Sequence, residues 1–117
     1  MLARHRLGKL GEVAAAGLLR AAGYTVVGTG FRARRGEIDL VCRRGDSLLL
    51  VEVKTRSSGG HGAPAESIGP TKRRALASAA AEYRALSGWH GEIEFAVVSV
   101  VMSYDGVIES AEMVMEL

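Results

Sequence analysis

The spacing of apolar residues changes several times along this chain, and each change marks an element. Over 7–22, Leu10, Val13, Ala14, Gly17, Leu18 and Ala21 recur three and four apart, the stripe of an amphipathic helix, and Gly23 supplies its stop. Three β-branched or aliphatic runs follow at 24–27, 37–43 and 47–55, separated by turn residues, and predict three strands. The second and third should form a hairpin over Arg44, Gly45 and Asp46. A second helix is expected over 70–87: Pro70 suits a first turn, Leu76, Ala79, Ala80, Tyr83 and Leu86 give the stripe, and Gly88 ends it. The segment 93–103 reads as a long strand. After the turn residues Tyr104, Asp105 and Gly106, 107–115 reads as a weaker returning strand. Ser57, Ser58, Gly59, Gly60, Gly62 and Pro64 make 57–69 the expected flexible loop.

The order αβββαββ predicts an α/β fold. The hairpin is antiparallel, whereas the long helical connection permits a parallel crossover, so the sheet should be mixed with helices covering its faces. At 117 residues, 48% of them apolar, the chain has material for one core and is expected to form one domain, 1–117. Internal repeats, heptads and low-complexity tracts are absent from the sequence.

Composition adds little to this until charge is mapped by position. The net charge is only +2, yet up to position 35 Arg4, Arg6, Lys9, Arg20, Arg32, Arg34 and Arg35 face one acid, Glu12. From position 82 onward Glu82, Glu92, Glu94, Asp105, Glu109, Glu112 and Glu116 face one base, Arg84. The basic part suits a polyanion, since Lys and Arg clusters supply sequence-independent attraction to phosphates; the bland reading is a solvated surface. Arg32, Arg34 and Arg35, immediately before the second strand, are the stronger candidates for phosphate contact. The lone Cys42 sits in an apolar run, as a small buried side chain of a reduced protein. Neither a signal peptide nor a membrane span is visible near the N-terminus, so a cytoplasmic protein is expected.

Several other features take ordinary structural readings. Gly28-Thr29-Gly30 lacks the further residues of a phosphate loop and reads as a strand bend. His5, His61 and His90 show no metal-ligand spacing. His61, in the glycine-rich loop, could still approach a substrate. Trp89 is expected to cap the edge of the core.

The candidate chemistry lies in the hairpin. Side chains alternate along a strand, so Glu52 and Lys54 share a face, as do Glu37 and Asp39. If the hairpin closes through Gly45 and Asp46, Asp39 lies opposite Glu52 and Glu37 opposite Lys54; a tighter Arg44-Gly45 turn shifts Asp39 to Leu50. Either register keeps Glu37, Asp39, Glu52 and Lys54 on one face. Directly opposed residues have Cβ atoms about 4.5 to 5.5 Å apart, a spacing at which two carboxylates can grip one divalent cation. Three acids around one lysine leave excess negative charge that a cation would relieve. A salt-bridge network is the alternative.

These residues also carry a family resemblance. Gly36-Glu37-Ile38-Asp39-Leu40-Val41 followed by Val51-Glu52-Val53-Lys54-Thr55-Arg56 resembles the core of the YraN family, bacterial proteins similar to Holliday-junction resolvases and to PD-(D/E)XK, restriction-endonuclease-like nucleases. The likeness extends through Gly11-Glu12, Ala14, Ala15, Gly23-Tyr24, Phe31-Arg32, Gly62, Pro64, Glu66 and Lys72. The chain departs from the family at Gly30, where the family usually has Asn, and at Glu94-Phe95-Ala96-Val97, where it has an Arg-Phe-Asp-Val run. Ile38 stands where the wider superfamily has its proline.

The resemblance implies a restriction-endonuclease-like core and a nuclease acting on DNA, including branched or structured DNA. It implies Asp39 and Glu52 as metal ligands for magnesium, with manganese the alternative. Lys54 would meet the attacking water or scissile phosphate, and Glu12 would add a further carboxylate. Arg56 and Lys72 would clamp neighbouring phosphates, with Glu37 in support. Related resolvases pair as dimers, which implies a homodimer, although no apolar stripe in the sequence requires one. Two rival expectations stand beside this: a nucleic-acid-binding module that keeps the scaffold without catalysis, and a protein-interaction domain using the acidic C-terminal half.

Overall fold

The computed structural model describes residues 4–58 and 69–116, with side chains for 8–58 and 69–115. Seven elements follow in order: α1 (Arg4–Ala21), β1 (Thr25–Ala33), β2 (Gly36–Arg44), β3 (Ser47–Ser57), α2 (Pro70–Ser87), β4 (Glu92–Met102) and β5 (Ile108–Glu116). The strands form one sheet in the order β1-β2-β3-β4-β5. Only the β3–β4 pairing is parallel; the other three are antiparallel. This is the mixed α/β arrangement αβββαββ of a restriction-endonuclease-like core, with the α2 connection serving as the crossover.

Two apolar clusters lie on opposite faces of the sheet. On one, Ala15, Ala16 and Leu19 of α1 pack against Leu40, Cys42, Leu49, Val51, Ala96, Val98, Val100 and Met102. On the other, Leu76, Ala79 and Ala80 of α2 pack against Ile38, Val41, Leu48, Leu50 and Val97. The run Leu48–Val51 is buried throughout because a central strand covered on both faces has no polar side to offer. Small residues bring α1 close. Gly11 is buried on Thr55, and a Cβ there would collide with the Thr55 side chain.

The ends of α2 follow the expected chemistry. Pro70 opens the helix, and Gly88, in the left-handed region at φ 75°, donates its N–H to the Arg84 carbonyl. Arg84 Nη1 then donates to the carbonyls of Trp89 (3.2 Å) and Gly91 (2.8 Å), fixing the entry to β4. The β2–β3 hairpin closes with Arg44 opposite Ser47. Gly45 has φ 63° and no non-glycine residue among those described has positive φ, which is the pattern of a type II′ turn with glycine leading.

The first strand is longer than its apolar run indicates, reaching Ala33. It passes through the glycines by bending: the register with β2 shifts between Val26 and Gly28, and Gly30 takes φ 62°. The expected flexible loop, with His61, Gly62, Pro64 and Glu66, lies largely outside the described residues, as do the side chains of Arg4, His5 and Arg6. Among the described residues no helix is long and apolar enough to cross a membrane.

Candidate active site where the central hairpin parts

From Arg44↔Ser47 to Leu40↔Val51 the hairpin is a regular ladder, in the register that sets Asp39 against Glu52. Beyond Leu40 the regularity ends. Leu40 packs on the α1 side, whereas Ile38, two residues away, packs on the α2 side. Residues two apart in a regular strand share a face, so β2 turns over at Asp39. The neighbouring strand does the same, with Thr29 beside Leu40 in an α1-side cavity and Phe31 packed in the α2-side cluster. Gly30 and Asp39 lie between the pairs Thr29↔Leu40 and Phe31↔Ile38. The left-handed backbone of Gly30 permits this turn, and glycine and asparagine are the residues that adopt it most readily.

At this break the Asp39 carboxylate takes a backbone role. Its Oδ2 accepts the Val53 N–H at 2.7 Å, so the side chain bridges to β3 where the strands diverge. Burial pushes the Asp39 carboxyl up to about 6; the Val53 hydrogen bond opposes this, and the negative charges of Glu12, Glu52 and Glu37 add to it. Acids thus converge on Asp39 from α1, from β3 and from its own strand.

The sheet distributes them differently from the single-face expectation. Val53 packs on the α1 side, which leaves Glu52 and Lys54 facing α2. In agreement, Lys72 Nζ of α2 lies 3.2 Å from Glu52 Oε1. Glu37 is a correction: Ile38 faces α2, so Glu37 faces the α1 side, where Arg32 Nε lies 4.0 Å from its Oε2. Glu37 and Lys54 therefore do not share a face. Asp39 reaches across the gap between the two sides, with Glu12 on α1.

The basic candidates separate in the same way. Arg32, Arg34 and Arg35 are exposed at the tip of the β1–β2 hairpin. That tip is tied to α2 because the Arg34 N–H donates to the Glu82 carboxylate at 3.1 and 3.3 Å, a contact no sequence pattern indicated. Arg56 follows Lys54 on the α2 side. Lys72 stands at the start of α2 as expected but is engaged with Glu52. On the α1 side a cavity of about 300 Å³ is lined by Lys9, Glu12, Arg20 and Thr29 over an apolar floor that includes Leu40. Cys42 is fully buried, and burial pushes its thiol up to about 11, consistent with a packing role. Trp89 caps the α2-side core, its Nε1 donating to the Glu92 carbonyl at 3.1 Å.

Among the described residues no set of three or more His, Cys, Asp and Glu side chains is grouped to hold a metal. The donors nonetheless suit a hard cation. Glu52 Oε2 is buried without a hydrogen-bond partner among the described residues, and Asp39 lies in a field of negative charge. Magnesium is commonly held by one or two carboxylates plus waters and substrate phosphates, and Asp39 and Glu52 are the carboxylates that would hold it here.

The model of the uncharacterised protein family UPF0102 matches residues 11–100. The chain belongs to this family. Similar members include UPF0102 proteins of Anaeromyxobacter dehalogenans, 45% identical over 80% of this chain and 68% of the relative, and of Moorella thermoacetica, 37% identical over 97% and 95%. A third, from Symbiobacterium thermophilum, is 42% identical over 86% of each chain. The UPF0102 match begins at Gly11, the helix residue packed on Thr55, and covers Glu12, Asp39, Glu52 and Lys54 together.

Proposed function

We propose that this UPF0102 protein is a metal-dependent nuclease that hydrolyses phosphodiester bonds of DNA, with branched or structured DNA as its substrate class. The observation that carries this reading is the parted end of the central hairpin. There a carboxyl raised to about 6 feels the charge of Glu52, whose Oε2 is buried with no hydrogen-bond partner among the described residues, and Lys54 follows Glu52 on the same face of β3. The substrate class and the kinship with YraN proteins and Holliday-junction resolvases rest on motif resemblance. So does a homodimeric state, whereas a cytoplasmic location rests on the lone Cys42 as a reduced, buried thiol.

Each group has a distinct task in this reading. Asp39 and Glu52 hold the cation, which when bound acidifies water and offsets charge on phosphoryl oxygens. Lys54 adds fixed positive charge where the transition state becomes more anionic. The water oxygen forms the new bond to phosphorus, the leaving alkoxide departs with the electron pair of its former bond, and the water proton passes to solvent. Lys72 keeps Glu52 oriented. Arg32, Arg34 and Arg35 supply phosphate contacts that position the duplex without reading its sequence.

Calorimetric titration of magnesium or manganese into the wild type and Asp39→Asn tests the site before any substrate is chosen. The expected result is binding by the wild type and its loss in the variant, with DNA binding retained and cleavage abolished. A wild type that binds DNA yet cuts no linear, branched or single-stranded substrate with either metal would establish the non-catalytic module instead.

A further inference from the structure

Two buried side-chain oxygens lack a protein hydrogen-bond partner among the described residues, Glu52 Oε2 and Ser99 Oγ. Their positions are related. Ser99 pairs with Lys54 across the parallel β3–β4 ladder, and Glu52 pairs with Val97 two residues back. Ala96, Val98 and Val100 of β4 pack on the α1 side and Val97 on the α2 side. Alternation therefore turns Ser99 toward α2, the side that Glu52 and Lys54 face. Ser99 is only 4% exposed and is the one buried polar residue of a strand whose neighbouring positions are valine. A buried hydroxyl without a partner is destabilising, and an alanine would avoid that cost.

We propose that Ser99 belongs to the active site: its hydroxyl and Glu52 Oε2 together hold one water molecule beside Lys54. Ser99 is then a positioning residue for the attacking water, an assignment that rests on the nuclease reading for its chemistry. The hydrogen-bonding capacities match. A carboxylate oxygen only accepts and a hydroxyl both donates and accepts. One water can donate to Glu52 Oε2, exchange a second hydrogen bond with Ser99 and keep a lone pair for phosphorus. Lys72, 3.2 Å from Glu52 Oε1, occupies the other carboxylate oxygen and leaves the two lone-pair directions of Oε2, one for the cation and one for the water. No bond to Ser99 forms or breaks.

Ser99→Ala, Ser99→Val and Ser99→Thr, compared with the wild type, separate this role from a merely tolerated hydroxyl. Crystals of the wild type should show a water within hydrogen-bonding distance of both oxygens. Ser99→Ala should lower Tm and reduce kcat by about tenfold or more at unchanged KM, as expected when a reactant loses its orientation. Ser99→Thr, which keeps the hydroxyl, should restore both. If Ser99→Ala or Ser99→Val raises Tm and leaves kcat at the wild-type value, the assignment is overturned while the nuclease reading stands. If the wild type cuts nothing but the water and the Tm order are as expected, the nuclease reading fails, and with it the attack role; Ser99 then holds a structural water.

Discussion

The two ends of the β2–β3 hairpin are built from adjacent residues and behave in opposite ways. At the turn, leucine, valine and cysteine close a regular ladder, and Arg43 and Arg44 clamp it by stacking on Trp89 and Tyr24, 4.9 and 4.3 Å from the ring centroids. At the other end, five residues from the turn, the ladder gives way and a carboxylate takes the backbone bond at Val53. The difference is one of desolvation. Apolar side chains gain by being covered on both faces, whereas opposed carboxylates in the same setting would be buried like charges. Parting the strands lets Asp39 hydrogen-bond the Val53 N–H while it stays in the field of Glu12, Glu37 and Glu52, a charge that a bound cation would relieve. A central strand can thus serve as core along one half and as a site along the other.

Breaking each end separately should dissociate stability from activity. The largest effect is expected from Asp39→Asn, which keeps an oxygen for the Val53 N–H and removes the charge. Magnesium-dependent cleavage should fall by about 10² to 10³-fold or more, with Tm unchanged or raised, as measured by nicking assays and thermal unfolding. Leu49→Ala, at the closed end, should do the reverse. Loss of a fully buried leucine costs about 2–5 kcal/mol of unfolding free energy, while metal affinity per folded molecule should stay at the wild-type value by calorimetry.

Titration sharpens the comparison at the open end alone. The Asp39 carboxyl is raised to about 6 in the fold, against roughly 3.9 in an unfolded chain. The folded state therefore holds its proton more tightly. The stability this confers is complete below about pH 4 and lost as pH rises through about 6, a decline on the order of 2 kcal/mol. Denaturation in chelator at pH 4.5 and 7 should show that decline, and Asp39→Asn should abolish it. Metal affinity should run the other way, weakening as pH falls below 6, because the cation competes with the proton. The smallest effect is expected at the turn. Gly45→Ala forces a Cβ into φ 63° and should cost about 1 kcal/mol without altering cleavage.

Much of this was legible in the sequence for a local reason. Period and stop signals placed α2 over 70–87 because Pro70, Gly88 and the stripe between them act within a few residues of one another. The glycine at 45 marked the turn in the same way, but left two registers open between which the pairing of Arg44 with Ser47 decides. Asp39, Glu52 and Lys54 stood out as charges inside apolar runs. Ser99 carried a similar signal, one hydroxyl among valines, but a small polar residue in a strand is common and says nothing until its neighbours are known. Arg34 and Glu82 are joined through a backbone N–H, which no side-chain pattern encodes.

Alternation along a strand is a property of the pleat, so the sequence by itself determined the order of elements and that helices cover the faces of the sheet, and it left two hairpin registers open, of which the fold takes the one that sets Asp39 against Glu52. It also determined that glycine stands at position 30, though not what that glycine would do. Only the tertiary structure decided that both β1 and β2 turn over there, sending Glu37 to the α1 side and leaving Glu52 and Lys54 toward α2. The reason is that a break in alternation becomes favourable only when distant groups, here the acids of α1 and β3 and the packing of Ile38 on α2, make the unbroken ladder the costlier arrangement.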